Sequence, residues 1–103
     1  SASDEYLIEK EDLNEFAKNI YTKKALRNIF LLAGYDTEEK IRDVVGNISD
    51  GSQRSKLQDK LQDALNEYIQ KVWEHDIDVI IDITETGRFD LSIRDKGKKN
   101  KYD

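Results

Sequence analysis

The fold is decided by residues 76–95, which read Asp76-Ile77-Asp78-Val79-Ile80-Ile81-Asp82-Ile83-Thr84-Glu85-Thr86-Gly87-Arg88-Phe89-Asp90-Leu91-Ser92-Ile93-Arg94-Asp95. Apolar residues fill the odd positions on both sides of the glycine, which predicts two half-buried strands. Both apolar sets face one core only if odd residues pair with odd residues, and a three-residue loop 85–87 achieves this. Gly87 stands at the loop position that requires a positive φ. The predicted cross-strand pairs are Ile83 with Phe89, Ile81 with Leu91, and Val79 with Ile93.

A long amphipathic helix precedes this hairpin. Apolar residues from Leu57 to Trp73 follow the spacing of one buried helix face. We expect a helix over about 55–75, roughly 30 Å long, with Ser52 or Ser55 as its N-cap. A two-stranded hairpin is marginal alone, so its apolar face should pack on this helix. Trp73 has the chemistry of a binding anchor, but its place in the stripe predicts a core residue. The predicted core is Leu61, Leu65, Tyr68, Ile69, Val72, Trp73, Ile81, Ile83, Phe89 and Leu91.

The first third of the chain is expected to be helical. Apolar residues at helical spacing predict a short helix over about 10–20, with residues 6–8 packing beside it. Thr22 is expected to cap a second helix, and Gly34 suits the left-handed residue that closes it.

A third helix is predicted before the long one. Asp36 and Glu39 have the three-residue spacing of a capping box, and the helix should end near Gly46. Residues 47–52 are rich in turn formers and are expected to form a loop. The fold class is therefore α+β, a small helical bundle followed by a C-terminal antiparallel β-hairpin. The outer face or a free edge of the hairpin is expected to be completed by another protein segment.

Length and composition indicate one domain with a lean core. The chain has 103 residues, of which 37% are hydrophobic and 38% charged. Residues 1–3 are interpreted as a tag remnant, 4–95 as a single α+β domain and 96–103 as a mobile basic tail. The sequence lacks cysteine and methionine, and we interpret it as a domain excised from a longer, cytoplasmic protein. No apolar run approaches the roughly 20 residues of a membrane span.

Charge argues against direct nucleic-acid binding. The net charge is −5, whereas a phosphate backbone requires a basic surface opposite it. Residues 22–45 have the order of a helix-turn-helix, but the second helix carries too many acids to face phosphates. In the basic tail, Lys98 and Lys99 are the candidates for phosphate contact. The sequence contains no Walker A motif.

Acidic residues surround the hairpin and raise the question of a metal site. Asp78 and Asp82 share a strand face, and His75 lies nearby in sequence. A metal-dependent nuclease would need such carboxylates to converge on one point. Alternating acids on a half-buried strand are more typical of a solvated face, and a histidine at a helix C-terminus is favourable without any ligand. We therefore predict no catalytic, cofactor-binding or metal-binding residue in this chain.

The C-terminal half resembles a segment of SMC-like ABC ATPases, in particular the RecF-like and OLD-like groups linked to DNA repair and phage defence. The similarity lies in a helix ending in Tyr68-Ile69-Gln70-Lys71-Val72-Trp73, the strand that follows, the glycine turn, and Phe89-Asp90-Leu91-Ser92-Ile93-Arg94-Asp95-Lys96-Gly97. It covers about residues 57–103, and more loosely 29–51. In that family such a helix descends from an inserted arm into the ATPase head, and the hairpin leads towards the signature motif that contacts the ATP γ-phosphate.

The resemblance implies a non-catalytic regulatory or interaction part of an ATPase, because the Walker A, signature, Walker B and switch-histidine motifs are absent from this sequence. It implies no cofactor in this chain. The partner would be the remainder of the ATPase polypeptide or another protein, with DNA involved only indirectly. The residues leave two alternatives open: a free-standing bacterial or phage adaptor that binds a partner through its hairpin, and the metal-dependent nuclease.

Overall fold

The computed structural model of the protein describes residues 4–98, with the side chains of residues 5–97. This part of the chain forms four α-helices and a three-stranded antiparallel sheet, in an α+β fold. The elements in chain order are β1 (Asp4–Asp12), α1 (Leu13–Lys18), a 3-10 turn (Ile20–Thr22), α2 (Lys24–Leu32), α3 (Glu38–Gly46), α4 (Gly51–Val72), β2 (His75–Ile83) and β3 (Arg88–Lys98). Within residues 4–98, no helix is both long and apolar enough to cross a bilayer.

The predicted hairpin is confirmed, including its register. Its three apolar cross-strand pairs are those expected from the parity of the two strands. Gly87 has a φ of +99°, a conformation that costs little only for glycine. A Cβ atom on Gly87 would lie 2.5 Å from Asn14 Nδ2, so the turn is closed by helix α1 as well as by its own backbone.

The N-terminus departs from the helical prediction. Residues 4–12 form strand β1, which pairs antiparallel with β3 and gives the sheet order β1-β3-β2. The hairpin edge that we expected another protein segment to complete is therefore completed by the chain itself. Residues 4–12 have neither a period of two nor a period of 3.6, so their conformation is set by the partner strand rather than by local pattern.

The short helices lie close to their predicted positions but begin differently. Helix α1 covers only Leu13–Lys18, with the Asp12 carboxylate as its N-cap. Lys23, not Thr22, precedes α2, and no side chain caps that helix. The hydroxyl of Thr37, not the carboxylate of Asp36, accepts the Lys40 N–H at the start of α3. Gly34 has the predicted positive φ, +96°.

Helix α4 is longer at its start than predicted. It begins at Gly51, because the Asp50 carboxylate caps it by accepting the N–H groups of Ser52 and Gln53. The caps predicted at Ser52 and Ser55 are therefore wrong. At 22 residues the helix is roughly 33 Å long, and it runs beside β2.

The core lies between the inner face of the sheet and the four helices. Three phenylalanines are fully buried there, Phe16, Phe30 and Phe89. Of the residues predicted for the core, five are buried: Leu61, Ile81, Ile83, Phe89 and Leu91. Leu65 and Ile69 are partly buried and pack against this cluster.

Tyr68, Val72 and Trp73 were predicted to be core residues and this is wrong. Their exposed fractions are 48%, 53% and 52%. Helices α2 and α3 have nine residues each, roughly 14 Å, which is less than half the length of α4. The apolar stripe therefore continues along α4 beyond the core that it packs on.

A row of amide side chains on α4 covers the outer edge of β2. Four residues at intervals of four lie along this edge, and they bond every second residue of the strand. The bonds are Ile83 N–H to Gln58 Oε1 (2.8 Å), Ile81 N–H to Gln62 Oε1 (2.9 Å), Val79 N–H to Asn66 Oδ1 (2.6 Å), Asn66 Nδ2 to Val79 O (3.0 Å) and Gln70 Nε2 to Ile77 O (2.9 Å). Four helical residues advance about 6 Å and two strand residues about 6.8 Å, so the two repeats nearly match. We call this row the amide ladder.

Strand β3 continues through Lys98, so residues 96–98 are part of the sheet, beyond the domain boundary expected at residue 95. The Lys96 ammonium lies between two carboxylates of β2. Its Nζ is 3.6 Å from Asp76 Oδ2 and 3.2 Å from Asp78 Oδ2. Residues 99–103 of the predicted tail lie outside the described residues.

Candidate functional site: the edge of strand β1

Strand β1 has one edge that no other strand or helix of the described chain is seen to cover. Its inner side pairs with β3, and the opposite edge of the sheet, on β2, is occupied by the amide ladder. An edge strand presents a row of N–H and C=O groups and is a ready template for another strand. The three-stranded sheet of residues 4–98 thus has one edge suited to strand addition.

The register shows which backbone groups point out of this edge. The Thr84 N–H donates to the Arg88 carbonyl (2.9 Å), so Arg88 is a residue of β3 whose backbone groups point towards β2. Because this direction alternates along a strand, the even residues of β3 form hydrogen bonds with β2 and the odd residues with β1. Residues of β1 that lie opposite even residues of β3 therefore direct their backbone groups outwards. These residues are Glu5, Leu7, Lys10 and Asp12.

The middle of the edge is apolar and exposed. Tyr6, Leu7 and Ile8 have exposed fractions of 51%, 57% and 52%. The register shifts between Leu7 and Glu9, which makes Ile8 the additional residue of a β-bulge. Three consecutive large apolar side chains in solvent on an edge strand are uncommon, because such edges favour association.

An apolar groove lies beside the bulge, between β1 and helix α2. It has a volume of about 210 Å³, and its apolar walls are Ile8, Leu26, Ile29, Phe89 and Leu91. Glu9 and Glu11 lie at its side. A groove smaller than the roughly 300 Å³ of a typical small-molecule pocket has room for one side chain rather than a cofactor.

Carboxylates dominate the rest of strand β1, which contains five acidic residues and one lysine. By register, Glu9 and Glu11 share the sheet face of Leu91 and Phe89. Glu11 is bound by Lys23, with 3.1 Å between Oε1 and Nζ. The edge is therefore apolar at its centre and negative towards both ends.

The outer sheet face does not assemble the acids that the nuclease hypothesis needs. Asp78 is bound to Lys96, and the hydrogen bond to Asp78 raises the pKa of that lysine. Asp78 and Asp82 are four residues apart, roughly 13 Å along a strand. Within residues 4–98, no group of three or more histidine, aspartate or glutamate side chains is placed to hold a metal ion.

His75 contacts a carboxylate rather than a reaction centre. Its Nδ1 lies 3.4 Å from Asp95 Oδ1, and both side chains are exposed. The pKa of Asp95 is lowered, first by the N–H of Gly97 and then by the hydrogen bond from His75. The Gly97 N–H donates to Asp95 Oδ1 at 2.9 Å. Asp95 therefore links the end of β3 to His75 at the start of β2.

A larger cavity lies elsewhere, between the 3-10 turn, α2 and the start of α3. Its volume is about 510 Å³. Of the charged groups at its walls, Asp36 is bound by Lys40 at 2.8 Å and Glu38 by Arg42 at 2.6 Å, and the Arg27 guanidinium lies over the Tyr21 ring. It offers an open cleft of mixed polar and apolar lining without a convergent set of reactive groups.

A second exposed apolar region lies on helices α2 and α4. Leu32, Ala64 and Tyr68 line a shallow groove of about 170 Å³, and Val72 and Trp73 are exposed farther along the chain. This region has exposed side chains but no open backbone edge, so it lacks the hydrogen-bonding groups of β1.

The predicted phosphate contact falls on the side chain of Lys98 and on Lys99, outside the described residues. Sequence reasoning missed β1 because residues 4–12 were assigned to a helix and its flanking segment. The signal that could have found the edge is the Tyr6-Leu7-Ile8 run, which has no place on the apolar face of α1.

Comparisons with protein-family models, with curated proteins and with solved structures found no match to this chain.

Proposed function

We propose that this domain is a non-catalytic protein-interaction module that binds an extended segment of a partner protein along β1. The observation that carries the proposal is the exposed Tyr6-Leu7-Ile8 run on the one sheet edge left open in residues 4–98. Main-chain bonds to an edge strand supply affinity, and pockets for alternate side chains supply specificity. The groove beside Ile8 is such a pocket. A cytoplasmic location is part of the proposal.

The contrast between the two sheet edges supports this proposal. At β2, each odd residue from 77 to 83 has at least one outward backbone group bonded to a side chain of α4. At β1, the outward groups of Leu7 and Lys10 face away from β3. Because the β2 edge is covered by amide side chains and the β1 edge is open, a partner strand can be added to the sheet at β1.

Selection from a library of random ten-residue peptides tests the function. Bound peptides should shift the amide NMR signals of Glu5, Leu7, Lys10 and Asp12 most. Lys10→Pro removes one outward N–H and should weaken binding at least tenfold, whereas Lys10→Ala keeps that N–H and should not. Proline is tolerated where an edge N–H faces solvent, and thermal unfolding of both variants checks that they fold. Peptides that instead shift signals of α4, or that bind both variants equally, would overturn the proposal.

We propose a second candidate, that the module is part of an SMC-like ABC ATPase linked to DNA repair or phage defence. The supporting observation is the order of elements, in which α4 leads through two residues into β2, as the resemblance implies. A genomic reading frame with a P-loop upstream and a Ser-x-Gly signature downstream would support it. A frame that encodes this domain without either motif would refute it and leave the free-standing adaptor.

A further inference from the structure

We infer that the occupant of the β1 edge is an extended peptide segment that carries both basic and apolar side chains. This inference rests on the proposed function, and it adds the chemistry of the partner. Three features of the edge support it: its charge, the groove beside Ile8 and the bulge.

Charge disfavours a second copy of the chain as the occupant. In an antiparallel pair of two β1 strands centred on Ile8, Glu5 of each strand would face Glu11 of the other. Like charges directly opposite each other destabilise a strand pair. A segment with lysine or arginine reverses the sign of each of these contacts.

The carboxylates lie on both faces of the strand, so a basic residue on either side of an added strand finds one nearby. Glu5 lies opposite Arg94 on the outer face, and Glu9 lies opposite Leu91 on the inner face. Long basic side chains also cover apolar surface with their stems while their charge stays in water. Arginine and lysine therefore suit an edge where carboxylates flank Tyr6, Leu7 and Ile8.

The groove beside the bulge sets the apolar requirement. Its volume of about 210 Å³ and its walls of Leu26, Ile29 and Leu91 fit one aliphatic or aromatic side chain. A strand added to β1 directs every second side chain to the inner face, where the groove lies. One apolar residue on that face would bury its side chain against α2.

The bulge and the acidic residues also make the edge selective. Bulges and charges on edge strands discourage pairing with arbitrary strands. The edge repels acidic strands, and its bulge at Ile8 interrupts regular pairing. A segment that binds must therefore carry basic residues and pair in a register that accommodates the bulge. Specificity then comes from a repulsive element as well as an attractive one.

Three synthetic eight-residue peptides test the inference. They alternate valine with arginine, with serine or with glutamate, and binding to the full chain is measured by fluorescence anisotropy at about 50 mM and 1 M salt. The arginine peptide should bind at least tenfold more tightly than the serine peptide at low salt. The advantage should fall below about threefold at 1 M, where the Debye length is roughly 3 Å. The glutamate peptide should bind most weakly.

Two double variants locate the charge effect. Glu5→Gln with Glu9→Gln should bring the arginine peptide close to the affinity of the serine peptide. Asp63→Asn with Asp82→Asn changes the net charge equally, but on α4 and β2, and should leave the arginine preference in place. An equal loss in both double variants would show a diffuse charge effect and overturn the inference.

The remaining outcomes separate the inference from the function. If the serine peptide binds as tightly as the arginine peptide and Lys10→Pro blocks both, the edge function stands and the basic partner is refuted. If no peptide binds at β1, both fail. Concentration-dependent dimerisation of the unmodified protein in sedimentation, abolished by Lys10→Pro, would identify a second copy as the occupant and refute the basic segment.

Discussion

Replacing Gln62 with methionine should destabilise the domain although both side chains have similar length and flexibility. Gln62 Oε1 accepts the partly buried Ile81 N–H at 2.9 Å. Methionine leaves that N–H without its acceptor, which costs about 1–3 kcal/mol. A typical domain has a total stability of about 5–15 kcal/mol. For a domain of this size, about 2 kcal/mol lowers Tm by roughly 8–16 °C.

Two charged variants test whether each amide acts as an acceptor or as both acceptor and donor. Gln62→Glu retains an acceptor for the Ile81 N–H, so its cost at pH 7 should be less than about half that of Gln62→Met. Asn66 accepts the Val79 N–H and also donates to the Val79 carbonyl. Asn66→Asp loses the donor and places a carboxylate against that carbonyl, so it should be the more harmful of the two acidic changes.

Urea denaturation gives the free energies, and native-state amide hydrogen exchange gives the local effect. The Ile81 amide should be protected in the unmodified protein and exchange faster in Gln62→Met. Gln53→Met, on an exposed position of the same helix, serves as the control and should change stability by less than about 0.5 kcal/mol. If Gln62→Met and Gln62→Glu cost the same, or if neither exceeds the control, the amide ladder does not stabilise the strand edge.

The remaining predictions concern a helix end, a turn and an ion pair. Trp73→Ala should lower the free energy of unfolding, measured by urea denaturation, by less than about 1.5 kcal/mol, because Trp73 is 52% exposed. Removal of a buried aromatic side chain costs about 3–5 kcal/mol, so a loss above about 3 kcal/mol would contradict the exposure of Trp73. Gly87→Ala should lower stability by about 1–3 kcal/mol, since Gly87 has a φ of +99° and little space for a Cβ; Gly51→Ala, at a position without a positive φ, is the control and should not lower it. The pKa of Asp95 is lowered in the folded state, chiefly by the Gly97 N–H. The contribution of Asp95 to stability is therefore fully present above the unfolded pKa of roughly 3.9. It is lost as pH falls through the folded pKa. Stability curves of the unmodified protein and of Asp95→Asn should therefore converge in acid, and parallel curves from pH 2 to 6 would refute this.

The hairpin was predictable because its determinants are local. A strand period of two, a three-residue loop and Gly87 at its last position leave one register that buries both apolar sets, and the structure has that register. The glycine that closes α2 was likewise identified, since a positive φ at Gly34 reflects a residue-level preference.

The helix starts were less predictable, because several neighbouring side chains compete for the same backbone N–H groups. Asp36, Ser52 and Ser55 have suitable chemistry, but Thr37 and Asp50 take the capping positions. Which one caps depends on where the preceding loop places the first helical turn, and this is set by packing.

The candidate site was not predictable from periodicity. Strand β1 pairs with a row of backbone groups that β3 offers it, and its own residues do not alternate with the period of two that marks a strand. The amide ladder was visible in the sequence as glutamine and asparagine at intervals of four, but such residues are typical of a solvated helix face. Only the position of α4 beside β2 turns that face into a cover for the strand edge.

The sequence by itself determined the α+β class, the long fourth helix, and the register and turn of the hairpin, because each depends on residues close together in the chain. The tertiary structure alone decided that residues 4–12 are a strand, that the end of α4 is exposed, and that β2 is covered while β1 is open. These features depend on which backbone groups remain unbonded after the elements pack. Almost every residue of a strand carries a backbone N–H and C=O that must form hydrogen bonds, whatever its side chain. The groups that bond them come from segments distant in sequence, so the sequence of the strand alone does not reveal its partner.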